Sequence, residues 1–127
     1  MATINPSFTH RTIALCKKDS TDITEGDREK LRVTCQEAEE DLIVVTHGTD
    51  TMIETARTIN GIPNKTIILT GSMKPERFIG SDASFNIGTA IGALPALPRG
   101  VYIAMSGLVL PWNKIKEDGN PARFIEM

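Results

Sequence analysis

The sequence is poor in the residue types that usually announce chemistry. Only two cysteines and two histidines occur in 127 residues. Cys16 and Cys35 make no metal-binding or redox spacing, so the chain reads as cytoplasmic with reduced thiols. His10 and His47 lie far apart, without a Cys or carboxylate at ligand spacing, so no metal and no other cofactor is expected. There is no excess of either charge: 14 Lys and Arg face 16 Asp and Glu, a net charge of −2. That balance argues against nucleic acid or an anionic membrane as partner. Apolar runs are short, far below a membrane span. The opening MATINPSFTH has no basic region followed by an apolar stretch, so no secretory signal is expected. No strand is followed by G-x-G-x-x-G or a P-loop, which weighs against a generic nucleotide-binding domain. Internal repeats and low-complexity segments are absent.

What is present is a rhythm of strands and helices in a length that suits one domain, residues 1–127. Thr12–Cys16, Leu42–Thr46, Thr66–Thr70 and Val101–Met105 are short, apolar and β-branched, without clean alternation. Such runs are expected of parallel strands covered on both faces. A first helix opens at Thr24, with Asp27 in an imperfect capping-box position, and should bury Leu31, Cys35 and Ala38. A second runs from about Asp50 to Asn60 and ends at Asn60-Gly61, with Pro63 beyond. A third starts near Ser81-Asp82 and carries Phe85, Gly88 and Ile91. Its glycines, Gly88 and Gly92, suggest close packing on the sheet, and Pro95 and Pro98 end it. Strands alternating with helices predict a three-layer, doubly wound α/β domain with a parallel sheet.

The stretch VVTHGTDTMIETA, residues 44–56, concentrates the functional signal. The apolar run Leu42–Val45 stops at Thr46-His47-Gly48, and helical spacing begins at once with Met52, Ile53, Ala56 and Ile59. Thr49, Asp50 and Thr51 thus sit where a strand's C-terminal end meets a helix N-terminus. Ligands bind at such places in open α/β sheets, because backbone N–H groups point outward there.

This stretch resembles the second signature of the bacterial-type L-asparaginase/glutaminase family. The resemblance continues through KTIILTGSMKP (residues 65–75), SDASFNIGTAIGAL (81–94) and RGVYIAM (99–105), and reaches back to KKDSTDITEGDR (17–28). The chain looks closest to short, single-domain members. The resemblance implies a flavodoxin-like domain of the asparaginase N-terminal type. It also implies hydrolysis of the side-chain amide of L-asparagine or a similar small ω-amide. In it, Thr49 and Asp50 work with a Lys to activate a hydroxyl or a water. Asp50 also meets the α-amino group of a bound amino acid, Ser20 and Thr21 hold its α-carboxylate, and Gly48 lets the backbone come close. The Ser72 carbonyl receives the leaving amide group. His47 reads instead as a hydrogen-bonded structural histidine.

Three features depart from that family. The Thr-Gly-Gly-Thr-Ile-type signature, which follows the family's first strand and carries the primary nucleophile, is absent; Thr70-Gly71 belongs to another motif. An ungapped reading of AMSGLVLPWNKIKEDGNPARF puts Glu117 at the position of the activating Lys. Lys116, next to it, is the remaining catalytic candidate, with Lys114 nearby. A carboxylate there would stand beside Asp50 and raise a pKa. With no nucleophile in sight, the alternative is a non-catalytic amino-acid-binding or assembly module of the same fold. The family's first strand lies between those that here are Thr12–Cys16 and Leu42–Thr46. An unfilled gap would leave rows of unpaired backbone groups, so an upstream segment, Ala2–Phe8, or a second copy should fill it. Ala2–Phe8 is a poor filler because Asn5-Pro6 interrupts pairing. A longer natural protein or a symmetric homo-oligomer, commonly a dimer, is therefore expected.

Overall fold

The computed structural model describes residues 7–16, 19–73, 81–119 and 123–127. Most of Ala2–Phe8, Lys17-Lys18 and the end of the KTIILTGSMKP motif fall outside the described residues. Three helices are present: α1 (Glu25–Glu37), α2 (Met52–Ile59) and α3 (Ala83–Ala93). The strands are β1 (Leu42–Thr46), β2 (Thr66–Thr70), β3 (Gly100–Met105), β4 (Leu108–Pro111), β5 (Ile115–Asp118) and β6 (Arg123–Glu126). The main sheet has the order β1-β2-β3-β4. β1, β2 and β3 are parallel, with Ile43 beside Ile67 and Ile67 beside Val101. β4 turns back antiparallel on β3, and β5 and β6 form a separate antiparallel hairpin.

The fold is α/β, with apolar packing on both sheet faces. On one face Met52, Ala56 and Ile59 of α2, Cys35 of α1 and Ile115 and Phe124 of the hairpin meet Ile67, Leu69 and Ile103. On the other, Ala90 and Leu94 meet Ile68, Tyr102 and Ala104. The connections through α2 and α3 step the same way across the sheet, yet the two helices lie on opposite faces. The two crossovers are therefore of opposite hand, and one departs from the right-handed rule.

Local chemistry explains most boundaries. Asp27 completes the capping box at α1: its N–H donates to Thr24 Oγ1 at 3.1 Å and its carboxylate accepts from the Thr24 N–H at 2.9 Å. α1 stops one residue short of the expected Ala38, which is its C-cap. α2 starts at Met52 rather than Asp50, because Thr49 to Thr51 form a turn ahead of it. Its end is as expected, with Gly61 at φ 93° in the left-handed region that suits glycine.

Three expectations need correction. Thr12–Cys16 is not a strand; it runs without a ladder and Ile13 is 49% exposed. A strand exists only beside a partner, and none of the described residues pairs with this run. The sheet is not wholly parallel, because the tight turn at Ser106-Gly107 folds β4 straight back on β3. Gly88 and Gly92 do not pack closely on the sheet: a Cβ at either would meet nothing within 4 Å. Ala83, Asn86 and Ala90 form the buried side of α3 instead, while Phe85 is 62% exposed.

The outer edge of β1 is open. Thr66 N–H donates to the Asp41 carbonyl at 2.8 Å, and His47 N–H donates to the Thr70 carbonyl at 2.9 Å. Backbone groups alternate along a strand, so residues 41, 43, 45 and 47 face β2, while Leu42, Val44 and Thr46 turn theirs outward. No described strand pairs with that edge.

Candidate functional site

β1 and β2 both end at a cavity of about 440 Å³ lined by Asp19, Ser20, Thr21, Gly48, Thr49, Asp50, Ser72 and Met73. It lies at the C-terminal edge of the parallel strands, where βα turns open together. A second cavity, about 280 Å³, lies at the other end of β3 between Asn60, Gly100 and Trp112. It gathers none of the residues singled out from the sequence.

The wall of the larger cavity is built by a close approach. A Cβ on Gly48 would stand 2.6 Å from Ser20 Cβ and 3.1 Å from its nitrogen, so only glycine fits there. Ser20 opens a short 3-10 helix, Ser20–Asp22, and is 6% exposed. Its Oγ accepts the Thr51 N–H at 2.6 Å, and Thr51 Oγ1 donates to the Ser20 carbonyl at 2.8 Å. With the Thr51 hydrogen so placed, the Ser20 hydroxyl donates to Thr51 Oγ1 at 2.7 Å. The Ser20 hydrogen therefore goes to Thr51, while Thr21 also lines the cavity. The sequence placed Thr51 at this strand-to-helix junction but gave it no role of its own; its partner Ser20 lies 31 residues away.

The opposite wall is held from α3. The Met73 N–H donates to both Asp82 carboxylate oxygens, at 2.9 and 3.0 Å. Asn86, 1% exposed, donates from Nδ2 to the Gly71 carbonyl at 2.8 Å. Gly71 has no room for a side chain, because a Cβ would collide with the His47 carbonyl.

Behind the Gly48 turn runs a buried polar chain. Arg28, 5% exposed on α1, donates from Nε to Thr55 Oγ1 at 3.1 Å. Thr55, 1% exposed, lies 2.8 Å from His47 Nε2, and His47 Nδ1 lies 2.6 Å from the Gly48 carbonyl. A guanidinium only donates and a carbonyl only accepts. So His47 donates from Nδ1, and in the neutral ring Thr55 donates its hydroxyl hydrogen to Nε2. Burial pushes the His47 pKa down, which favours that neutral ring; the Gly48 carbonyl opposes this and the charge of Arg28 adds to it.

The β5 hairpin supplies the last group. Alternation puts Ile115 and Glu117 on the inward face of β5, while Lys116 is exposed on the other. Burial raises the Glu117 carboxyl above the usual carboxylate range, and the charge of Asp50 raises it further. Glu117 is therefore the β5 side chain that feels Asp50.

Strand ends, the Gly48 turn and Asp50 form one polar cavity. A match to the family described as asparaginase, N-terminal, spans residues 2–117. The chain belongs to the asparaginase family. It is 39% identical over 71 residues to a glutaminase-asparaginase of Pseudomonas fluorescens biotype A, covering 52% of this chain and 20% of that protein. It is 38% identical over 71 residues to L-asparaginase 2 of Bacillus subtilis (strain 168), covering 52% and 19%. It is 33% identical over 86 residues to L-asparaginase 2 of Escherichia coli (strain K12), covering 64% and 24%. The aligned stretch is thus a small part of each of these relatives. No helix of the described residues is long and apolar enough to cross a membrane, and no group of three or more His, Cys, Asp or Glu among them could hold a metal ion. Cys16 and Cys35 are free.

Proposed function

We propose that this asparaginase-family chain supplies the amino-acid-binding part of an amidohydrolase. Its substrate is L-asparagine or a similar small ω-amide, and its product is ammonia. The observation that carries this reading is the convergence of Ser20, Thr21, Gly48, Thr49, Asp50 and Ser72 on one cavity. In it, Asp50 takes the α-amino group, Thr21 with the backbone at Ser20 and Gly48 takes the α-carboxylate, and the Ser72 carbonyl receives the leaving amide. Thr49 stands where the attacked carbonyl would lie. The relatives' names, glutaminase-asparaginase and L-asparaginase 2, support the same chemistry.

The nucleophile belongs to a strand outside the described residues. Arg11 pairs with Glu40 at 2.7 Å near the start of β1, and Ser20 bonds Thr51 just past its end. Residues 12–16 do not pair with β1, and no described strand does so on that side, so we place the inserted strand there. A parallel strand there would end at the cavity, beside Thr49, and would carry the missing Thr signature. An upstream segment supplies it; a second copy of this chain, which lacks the signature, could fill the strand position without the nucleophile, so a homo-oligomer, most simply a dimer, is part of the proposal, as is a cytoplasmic location. Lys116 is exposed on the face of β5 opposite Glu117 and does not line the cavity. Glu117, whose carboxyl feels the charge of Asp50, and the missing Thr signature favour the other reading, a non-catalytic binding or assembly module.

Ammonia release decides between them. The chain should be silent on L-asparagine alone and should gain turnover when a strand ending in Thr-Gly-Gly-Thr is fused ahead of residue 1. If the fusion folds, binds L-aspartate and releases no ammonia, the binding-module reading replaces the enzyme.

A further inference from the structure

We propose that Arg28, Thr55 and His47 are positioning residues that orient the Gly48–Thr49 peptide at the cavity wall. The inference rests on the reading of that cavity as an amino-acid site. The chain of donors starts at a buried guanidinium on α1, passes a buried hydroxyl on α2 and ends on the Gly48 carbonyl. It joins two helices to the turn that follows β1. The guanidinium is itself anchored: Arg28 donates to Glu25 at 2.9 Å and its other terminal nitrogen lies 3.5 Å from Glu54.

The geometry gives each member one role. A trans peptide holds its C=O and the following N–H on opposite sides. The Gly48 carbonyl is tied to the imidazole, so the Thr49 N–H points away from the ring, toward the side on which Thr49 lines the cavity. Gly48 has no side chain to resist rotation of that peptide, and the imidazole supplies the restraint. His47 can do so only with its hydrogen on Nδ1. Thr55 supports that tautomer by donating to Nε2, and the Arg28 Nε–H, accepted by the same oxygen, holds the hydroxyl in place. The Gly48 carbonyl thus selects the protonated nitrogen, and Thr55 occupies the other. None of the three lines the cavity, so none touches a ligand.

The tautomer is measurable without a ligand. Nitrogen-15 NMR of the unmodified protein should show His47 as the neutral Nδ1–H form; an Nε2–H form overturns the proposal before any substitution is made. Thr55→Val keeps shape and removes both hydrogen bonds. It should release the tautomer, shift the Thr49 amide resonance and weaken L-aspartate binding by calorimetry on the order of ten-fold or more, as small misplacements in a site do. Thr55→Ser keeps the hydroxyl and should restore all three readouts. Equal affinity for L-aspartate in both variants, or an unmoved Thr49 amide in Thr55→Val, overturns the proposal. If the unmodified protein binds no L-aspartate, the amino-acid reading of the cavity fails, while the tautomer and amide signals still decide the positioning role.

Discussion

β1 and β2 are neighbours of nearly the same composition, LIVVT and TIILT, and they live in different surroundings. Every residue of β2 is buried, with Ile67, Ile68 and Leu69 wholly inaccessible. In β1 no residue is fully buried, and Leu42 is 42% exposed. The difference lies in what flanks each strand. β2 has β1 on one side and β3 on the other, with helices over both faces. β1 has β2 on one side and, among the described residues, nothing on the other. An apolar five-residue run therefore reports that a strand exists, while its burial depends on neighbours elsewhere in the chain.

The largest expected effect concerns activity. If the open edge of β1 is the place of the missing nucleophile strand, ammonia release by the chain alone should fall on the order of 10⁴-fold or more below that of a complete enzyme. A turnover of roughly 10 per second, ordinary for enzymes, would contradict the comparison outright.

Next comes stability, tested on one face with one substitution. Ile43 and Ile67 are partners in register and both reach the α2 side of the sheet. Ile67→Ala should cost about 2–5 kcal/mol in denaturant unfolding, as large-to-small changes in packed cores do. Ile43→Ala should cost less than half as much, because its site is already partly open and loses less apolar burial. Equal costs would mean that the β1 edge is covered in solution.

A finer measure is amide hydrogen exchange. Leu42, Val44 and Thr46 turn their N–H groups outward, so their amides should exchange faster than those of Ile43 and Val45. β2 should show no such alternation, since both its edges are paired. A fused or partner strand that fills the edge should erase the alternation in β1.

Two pH effects distinguish the back of the site from its front. His47 is a base whose folded pKa is lowered by burial. The unfolded chain then binds more protons, so stability is complete above the unfolded value, about 6.5, and is lost as pH falls below it. His47→Gln should flatten that part of a thermal-unfolding pH profile. Glu117 is an acid whose folded pKa is raised, first by burial and then by Asp50. Here the folded state binds more protons, so stability declines as pH rises through the carboxylate range. Glu117→Gln should remove this smaller decline, and no change between the two profiles would show that Glu117 and Asp50 do not meet.

Much of the fold was legible because local rules settled it. The β1 boundaries and those of β2 match the expected Leu42–Thr46 and Thr66–Thr70. Thr24 and Asp27 formed the capping box, and Gly61 ended α2 where a left-handed residue was needed. β4 and the β5–β6 hairpin were not read, because LVLP and IKED are too short for periodicity to speak. The direction of α3 misled for a related reason: its glycines faced open space, and the small buried Ala83 and Ala90 carry little apolar signal.

At the site, the residue types Thr49, Asp50, Ser20 and Gly48 stood out in the sequence because hydroxyls and a carboxylate clustered at a strand-to-helix junction. Their mutual placement did not. That Ser20 presses on Gly48 from 28 residues upstream, that Thr51 takes its hydroxyl hydrogen, and that Arg28 reaches the Thr55 hydroxyl that meets His47 are all long-range facts. Sequence alone determined the three helices and the strands β1, β2 and β3, since capping, turn chemistry and apolar spacing act over a few residues. Only the tertiary structure decided that Thr12–Cys16 stays unpaired, that β1 has no described strand on its outer side, and that Glu117 rather than Lys116 lies on the inward face of β5. Those outcomes depend on which backbones come within hydrogen-bonding reach and which face of a two-residue repeat turns inward, and neither is encoded within any single segment.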